Sequence, residues 1–464
     1  MTATVGAESA AAQRAAVCPA GTAFRHRRGG CPAARQLPGL SRWRRCTVGA
    51  KALLYRSRST SLARECQGMK VVFDVGPVFQ PLTGVGRYAL ELARALAAQP
   101  EMNQLYYLDG MRWLDRPDAR LTSDALGGQP ASLVRKTDVA RRLRRLAASL
   151  PFAPAAFAAY RKLLYLRFMN TAPARHADLY HGTGFMPLPL SLPGVITVHD
   201  LSFIRYPQFH PAARVRVLRD TLPGTLDAAA AIITDAATIR DEVIKTYGVA
   251  PERVHAVALG VAPDFHPRMA EDLQPVLARY GLLSTPYLLS VATLEPRKNL
   301  LGLVDAYARL PQALRARHPL VLAGGKGWLS EELQKRLEPL ERVGEVRRLG
   351  YVPQADLPHI YAGAWAFAYP SFYEGFGLPV AEAMATGIPT LTSNRSSLPE
   401  VAGEAALQID PDDADALCSG LQQLLEDAGL RARLAREGPL RAARFTWENT
   451  ARDTIAVYAA VRAA

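Results

Sequence analysis

The 464-residue sequence predicts an α/β protein of two doubly wound domains facing each other across a cleft. Three observations carry this expectation. From Met69 onward short apolar runs alternate with longer helical patterns, the alternation lapses once near residues 263–284, and glycine- or proline-marked loops recur where strands end. A chain of this length exceeds one ordinary core and suits two.

The first domain, expected over 69–265, opens with KVVFDVG (70–76) as a buried strand and TGVGRYALELARALAA (83–98) as a helix led by glycines. Further strands are expected at QLYYLD (104–109), ADLYHG (177–182), GVITVHD (194–200), AAIITD (230–235) and VHAVALG (254–260), with helices between. Around APDFHPRMAEDLQ (262–274) the pattern gives way to proline and polar residues. A second domain, expected over 280–445, follows with strands at YLLSVA (287–292), HPLVLAGG (318–325), VRRLGYV (346–352), WAFAYPS (365–371) and IPTLTSN (388–394). Residues 446–464 read as a C-terminal helix packing back toward the first domain.

Residues 1–68 differ from all this. They are rich in Ala, Arg, Gly and Ser, lack periodicity, and end just before MKVVFDVGP, which reads as a natural start at Met69; a disordered extension is expected. This stretch holds 12 of the 56 Lys+Arg and 2 of the 42 acidic residues, so most of the formal +14 charge resides there. The remaining 44 basic and 40 acidic residues nearly balance, which speaks against a nucleic-acid groove. Four of the five cysteines also lie in this stretch, with no CxxC pair, so neither a zinc site nor a disulfide framework is indicated and the body reads as a reduced, cytosolic protein. No apolar run reaches the roughly 18 residues needed to span a bilayer, so membrane contact is expected only at the periphery.

Ligands of open α/β sheets bind at the carboxyl ends of strands, so motifs there carry the chemistry. After the strand WAFAYPS comes EGFGLPVAE (374–382), two glutamates around Gly375, Gly377 and Pro379. Proline suits a first helical turn, and the helix runs to Gly387, so Glu382 sits about one turn inside it. A helix N-terminus near Gly377 attracts phosphate, and a neighbouring carboxylate accepts hydrogen bonds from sugar hydroxyls. The plain alternative is a tight turn with solvated glutamates. At the end of the domain's first strand, SVATLEPRKNLLGLVDAY sets Arg297 and Lys298 before another helix, two cations suited to a diphosphate. In the first domain, Gly84 and Gly86 of TGVGRY allow close backbone approach to a phosphate, or simply make a flexible loop; His199 and Asp200 end a strand at the cleft edge, as His181 does.

EPRKN, then GYVPQADLPHIYAGAWAFAYPSFYEGFGLPVAEAMATGIPTLTS, SSLPEVAGEAAL and FTWENTA resemble the retaining family-four glycosyltransferases of the GT-B fold, which pairs two Rossmann-like domains; the resemblance covers residues 69–464. It implies transfer of a hexosyl group from a nucleotide diphosphate donor with retention of configuration and without a metal or separate cofactor. By position, it gives Glu374 to the donor sugar, Glu382 to the ribose, Arg297 and Lys298 to the diphosphate, and the backbone of Phe376, Gly377 and Leu378 to the phosphates or sugar. His199 would lie near the reacting sugar, and the Gly84–Gly86 loop would line the cleft. One position departs: many members carry an arginine where this chain has Thr293, with Arg297 as the expected substitute.

The FDVGPVFQPLTGVGRYALEL and TLEPRKN arrangements resemble mannosyltransferases of bacterial surface polysaccharide assembly. GDP-mannose or a GDP-deoxyhexose is therefore the favoured donor, a UDP-sugar the alternative, and a glycan or lipid-linked saccharide the acceptor, met in the cytoplasm at the inner membrane face. A sugar-nucleotide epimerase on the same fold and a catalytically silent nucleotide-sugar-binding partner are the competing readings. Three other features need weighing. DPDDAD (410–415) mimics a metal-binding Asp-x-Asp but precedes a helix, where aspartates cap. TGVGRYA mimics a dinucleotide fingerprint, yet its first glycine lies nine residues beyond Val75. RKTDVARRLRRLAASL (135–150) reads equally as an amphipathic helix on an anionic membrane or as one packed on the domain.

Overall fold

Two sheets, each meeting the other through the loops at its strand ends, organise the computed structural model, which describes residues 68–79, 82–110, 112–119, 121, 163, 166, 167, 171–185, 192–283, 285–325 and 331–464. All of these belong to one compact unit, Ser61–Ala464. The extension through residue 67 and the basic segment 135–150 lie outside the described residues.

The first sheet has the order β3-β2-β1-β4-β5-β6-β7, from β1 (Met69–Asp74), β2 (Met102–Asp109), β3 (Arg112–Leu114), β4 (Leu179–Gly182), β5 (Gly194–Val198), β6 (Ala231–Thr234) and β7 (Val254–Ala256). All neighbours are parallel except β3, which pairs antiparallel with β2. The second sheet is wholly parallel in the order β10-β9-β8-β11-β12-β13, from β8 (Leu288–Val291), β9 (Leu320–Ala323), β10 (Val346–Gly350), β11 (Ala366–Tyr369), β12 (Thr390–Ser393) and β13 (Leu407–Ile409). Strand order reverses between β1 and β4 in the first sheet and between β8 and β11 in the second. Such reversals open the crevices where ligands sit.

Each central strand is apolar because helices cover both faces; AFAY of β11 and LVLA of β9 are buried throughout. Helix α1 (Gly84–Ala97) follows β1, α2 (Ala237–Tyr247) follows β6, α3 (Ala270–Arg279) lies in the connection, and α4 (Leu300–Ala308) follows β8. Helix α5 (Leu378–Ala385) follows β11, α6 (Ala414–Glu426) follows β13, and α7 (Trp447–Ala463) ends the chain. The last helix packs against α1 in the first domain, where Thr450 donates to the Ala258 carbonyl at 2.8 Å. Gly260 permits this crossing, because any side chain there would collide with the backbone of Trp447.

Three differences from the sequence reading have local causes. β3 and β13 are three-residue strands at sheet edges, only partly buried, too short to show a pattern. β7 stops at Ala256, short of the expected Gly260, as the chain turns to meet α7. The connection contains α3, whose Pro275 masked it in sequence; Val276 and Leu277 bury its apolar side and Glu271 and Asp272 favour its N-terminus. Among the described residues no helix is long and apolar enough to cross a membrane.

Candidate active site

The two motifs of the second domain converge at its strand-order reversal, one after β8 and the other after β11. Beyond β8 the chain makes a short 3-10 turn, Pro296–Lys298, and Asn299 then adopts the left-handed conformation at φ 52°. Asparagine tolerates that conformation better than most residues. Its side chain fixes the bend by donating to the Pro411 carbonyl at 2.9 Å, and Lys298 is thereby turned inward.

The Lys298 ammonium donates to both oxygens of Glu374, at 2.7 and 2.9 Å, and to the Tyr369 hydroxyl at 2.8 Å. Glu374 also accepts from Ser371 Oγ at 2.6 Å and lies 3.0 Å from Arg297. Burial alone would raise the Glu374 carboxyl, but Arg297 and Lys298 overcome it and hold the group down at about 2. Burial and Arg297 push the Lys298 ammonium below its usual range, against the pull of Glu374 and Glu295. Arg297 is itself engaged, donating to the Tyr373 carbonyl at 2.6 Å and to Glu295 at 2.9 Å. Of the two expected diphosphate cations, Arg297 is thus bound into the protein's own network.

The loop from Glu374 to Leu378 is shaped by two glycines. A side chain at Gly375 would strike the carbonyl oxygen of His199 in the other domain, and Gly377 takes φ 104° against Leu398. Ser397 ties the loop by donating to the carbonyls of Glu374 and Phe376, both at 2.9 Å. Phe376 is buried edge-on against Phe445. Gly377 precedes α5, Leu378 opens it with Pro379 next, and Glu382 follows in its second turn. Early helical N–H groups have no acceptor within the helix, so the turn at Gly377–Leu378 presents a positive end.

Glu382 is buried, 3% exposed, and pairs with Arg87, which also donates to the Gln354 side chain. Burial raises the Glu382 carboxyl and Arg87 opposes it. Arg87 comes from the first turn of α1, in the TGVGRY stretch, where no motif singles it out in the sequence. Its signal was position: it follows the expected cleft loop directly. Of the two glycines, Gly86 is needed for packing, since a Cβ there would come within 2.6 Å of the Pro77 carbonyl, whereas Gly84 faces open space.

His199 follows β5 and is almost buried. Its Nδ1 lies 2.8 Å from Asp235 and its Nε2 3.2 Å from the Thr183 carbonyl, with the Tyr88 ring edge-on at 4.7 Å. Burial lowers its pKa, but Asp235 more than compensates, and the net direction is upward. Two acceptors facing two ring nitrogens suit the imidazolium, in which both donate. Asp235 directly follows β6, and no motif singles it out in the sequence. His181 serves the core, bridging Tyr458 at 2.6 Å and Thr197 at 2.8 Å, with burial pushing it down to about 3. Asp413 caps α6, accepting from the N–H groups of Asp415 and Ala416, as the cap reading of DPDDAD expects. Among the described residues no group of three His, Cys, Asp or Glu side chains is arranged to hold a metal ion.

The domains meet through further polar contacts around this loop. Tyr373 donates to Glu242 of α2 and accepts from the Leu201 N–H at 3.0 Å, and Arg205 also pairs with Glu242. Glu400 accepts from the N–H groups of Ala237 and Thr238 at the start of α2, at 2.9 and 3.1 Å.

Residues 281–441 match the family model for glycosyl transferases group 1, and residues 82–265 match that for glycosyltransferase family 4. Over 393 residues the chain is 40% identical to the O-antigen chain mannosyltransferase B of Escherichia coli, covering 84% of this chain and 99% of that protein. The chain belongs to the family-four, group 1 glycosyltransferases. Solved structures agree on the GT-B fold of this glycosyltransferase. Sucrose-phosphate synthase from Thermosynechococcus elongatus superposes with a TM-score of 0.61 at 22% identity, covering 86% of this chain and 99% of that one. Anabaena HepE in complex with UDP and glucose gives 0.58 at 17% identity, covering 84% and 99%.

Proposed function

We propose that this glycosyltransferase moves a mannosyl or closely related hexosyl group from a nucleotide diphosphate donor to a glycan or lipid-linked acceptor in surface polysaccharide assembly. The observation that carries the reading is the buried Lys298–Glu374 pair beside the N-terminus of α5, at the reversal of strand order. Near full-length likeness to an O-antigen chain mannosyltransferase favours mannose, and GDP-mannose as donor.

In this reading the diphosphate lies between Lys298 and the helix end at Gly377–Leu378, which stabilise charge gathering on the leaving phosphate. Glu374 takes donor-sugar hydroxyls and Glu382 the ribose hydroxyls. The acceptor oxygen bonds to the anomeric carbon on the face the phosphate leaves, and its proton passes to a phosphate oxygen. No strong base is required, and configuration is retained. The protein contributes positioning, and the cations and helix end do the work a divalent metal does elsewhere. The enzyme works in the cytoplasm and meets a lipid-linked acceptor peripherally.

The test is to purify the chain from Met69 and measure nucleotide release from GDP-mannose, other GDP-sugars and UDP-sugars, with and without lipid-linked saccharide. Faster GDP release on adding acceptor, with α-linked product and no loss in chelator, is expected. Preference for a UDP-sugar would overturn the donor assignment. Loss of activity in chelator with recovery in manganese would overturn metal independence, and conversion of the nucleotide sugar without acceptor would indicate an epimerase.

A further inference from the structure

We propose that Arg87 is a donor-binding residue, a further cation of the diphosphate site, held on Glu382 until a nucleotide arrives. The inference rests on the donor-site reading above and deepens it. Three observations lead to it.

First, Arg297 is engaged by Glu295, Glu374 and the Tyr373 carbonyl, and Lys298 gives its three N–H donors to Glu374 and Tyr369, so each meets a phosphate only by giving up part of that network. Thr293, two residues beyond β8, contributes no charge. A group carrying two or more negative charges therefore calls for a further cation, one whose partner the nucleotide itself displaces. Second, Arg87 is the cation the opposite domain sends into this wall: it crosses the cleft to Glu382 and Gln354, and its side chain is only 16% exposed. Third, its present partner is the carboxylate assigned to the ribose. Leu378 and Glu382 are four residues apart on α5, about 6 Å along the helix axis. A guanidinium displaced from Glu382 by ribose hydroxyls needs only a side-chain rotation to reach phosphates at the helix end.

The exchange also suits the electrostatics. Ribose hydroxyls donate to Glu382 and replace the hydrogen bonds Arg87 gave it, and the freed guanidinium finds a new anion in the same crevice. Guanidinium meets phosphate in a bidentate geometry that an ammonium cannot match. Because Arg87 belongs to the first domain and the helix end to the second, the diphosphate would then be gripped from both sides, so the domains close best on a loaded donor.

Calorimetric titration of guanosine, GMP and GDP (or the uridine series, if the wild type prefers it) into wild type, Arg87→Met, Arg87→Lys and Lys298→Met tests this. Loss of a charged hydrogen-bonding group predicts roughly 10- to 150-fold weaker GDP binding in Arg87→Met. The nucleoside should bind as well or better, since Glu382 is freed, and Arg87→Lys should recover part of the GDP affinity. If Arg87→Met binds GDP as tightly as wild type or more tightly, while Lys298→Met loses it, Arg87 is only a latch on Glu382 and the inference fails alone. If both variants bind GDP normally, or wild type binds neither nucleotide, the donor-site reading fails with it.

Discussion

Lys298 Nζ and Glu374 Oε1 stand 2.7 Å apart in a buried site, each at the end of a different strand of the same sheet. The contact joins two motifs 76 residues apart and makes each the condition for the other's charge. Breaking a lone buried ion pair by removing one partner costs about 3–5 kcal/mol. Here Arg297 remains beside Glu374, so Lys298→Met should fall near or below the lower bound, about 2–3 kcal/mol by denaturant titration. Turnover should drop at least about 100-fold, as expected when a group stabilising the leaving charge is removed. A Lys298→Met enzyme with wild-type kcat/KM would disprove the assignment.

The pH dependence of stability follows from the same burial. Glu374 is depressed from 4.5 to about 2, so its stabilisation is full above the unfolded value and is lost as pH falls from about 4.5 toward 2. His199 behaves oppositely. Its folded pKa is raised, so its contribution is present below the unfolded value of 6.5 and disappears as pH rises through the folded value. Asp235 is raised by burial against the pull of His199, so its own loss begins at its unfolded value of 3.8, below the range in which His199 titrates, and neighbouring His181, pushed down to about 3, stays neutral there. Thermal midpoints of wild type should therefore fall between pH 6 and pH 9 more than those of His199→Asn. Parallel curves would show that the His199–Asp235 pair does not titrate as described.

How much of this was legible in the sequence depends on the reach of each contact. AFAY and LVLA announce buried strands because apolar residues fill every position, and the strand-to-helix turn at Gly377 is announced by glycine followed by proline. Those signals are local. The partner of Glu382 lies 295 residues away on another domain, and no spacing or period encodes that pairing. Asp235 was equally silent, since an aspartate after a strand is ordinary until the adjacent strand places His199 beside it. Arg297 shows a further limit of position alone: its place invites phosphate, and only the structure shows that it also binds Glu295 two residues earlier and the Tyr373 carbonyl.

Gly375 sets how closely the domains approach. Gly375→Ala places a methyl against the His199 carbonyl, and the cheapest relief is to part the domains rather than to unfold either. A displacement of order 1 Å at a reacting centre costs about 100-fold. Gly375→Ala should therefore lose about that much in kcat/KM while its thermal midpoint changes little. A wild-type rate in Gly375→Ala would mean that this closed approach is not the working arrangement.

Tyr373 is the polar hinge of the same approach. Its hydroxyl donates to Glu242 and accepts from the Leu201 N–H, so Tyr373→Phe leaves a nearly buried N–H without its acceptor and Glu242 with Arg205 alone. An unmade buried hydrogen bond costs about 1–3 kcal/mol. Because both lost partners lie in the first domain while Tyr373 lies in the second, the loss should weaken closure more than it weakens either core. Tyr373→Phe is expected to bind GDP nearly as well as wild type, to transfer sugar more slowly, and to hydrolyse a larger fraction of donor, since a looser cleft admits water. Measuring product against free sugar in a single assay separates this from simple destabilisation, which would reduce both together and leave their ratio unchanged.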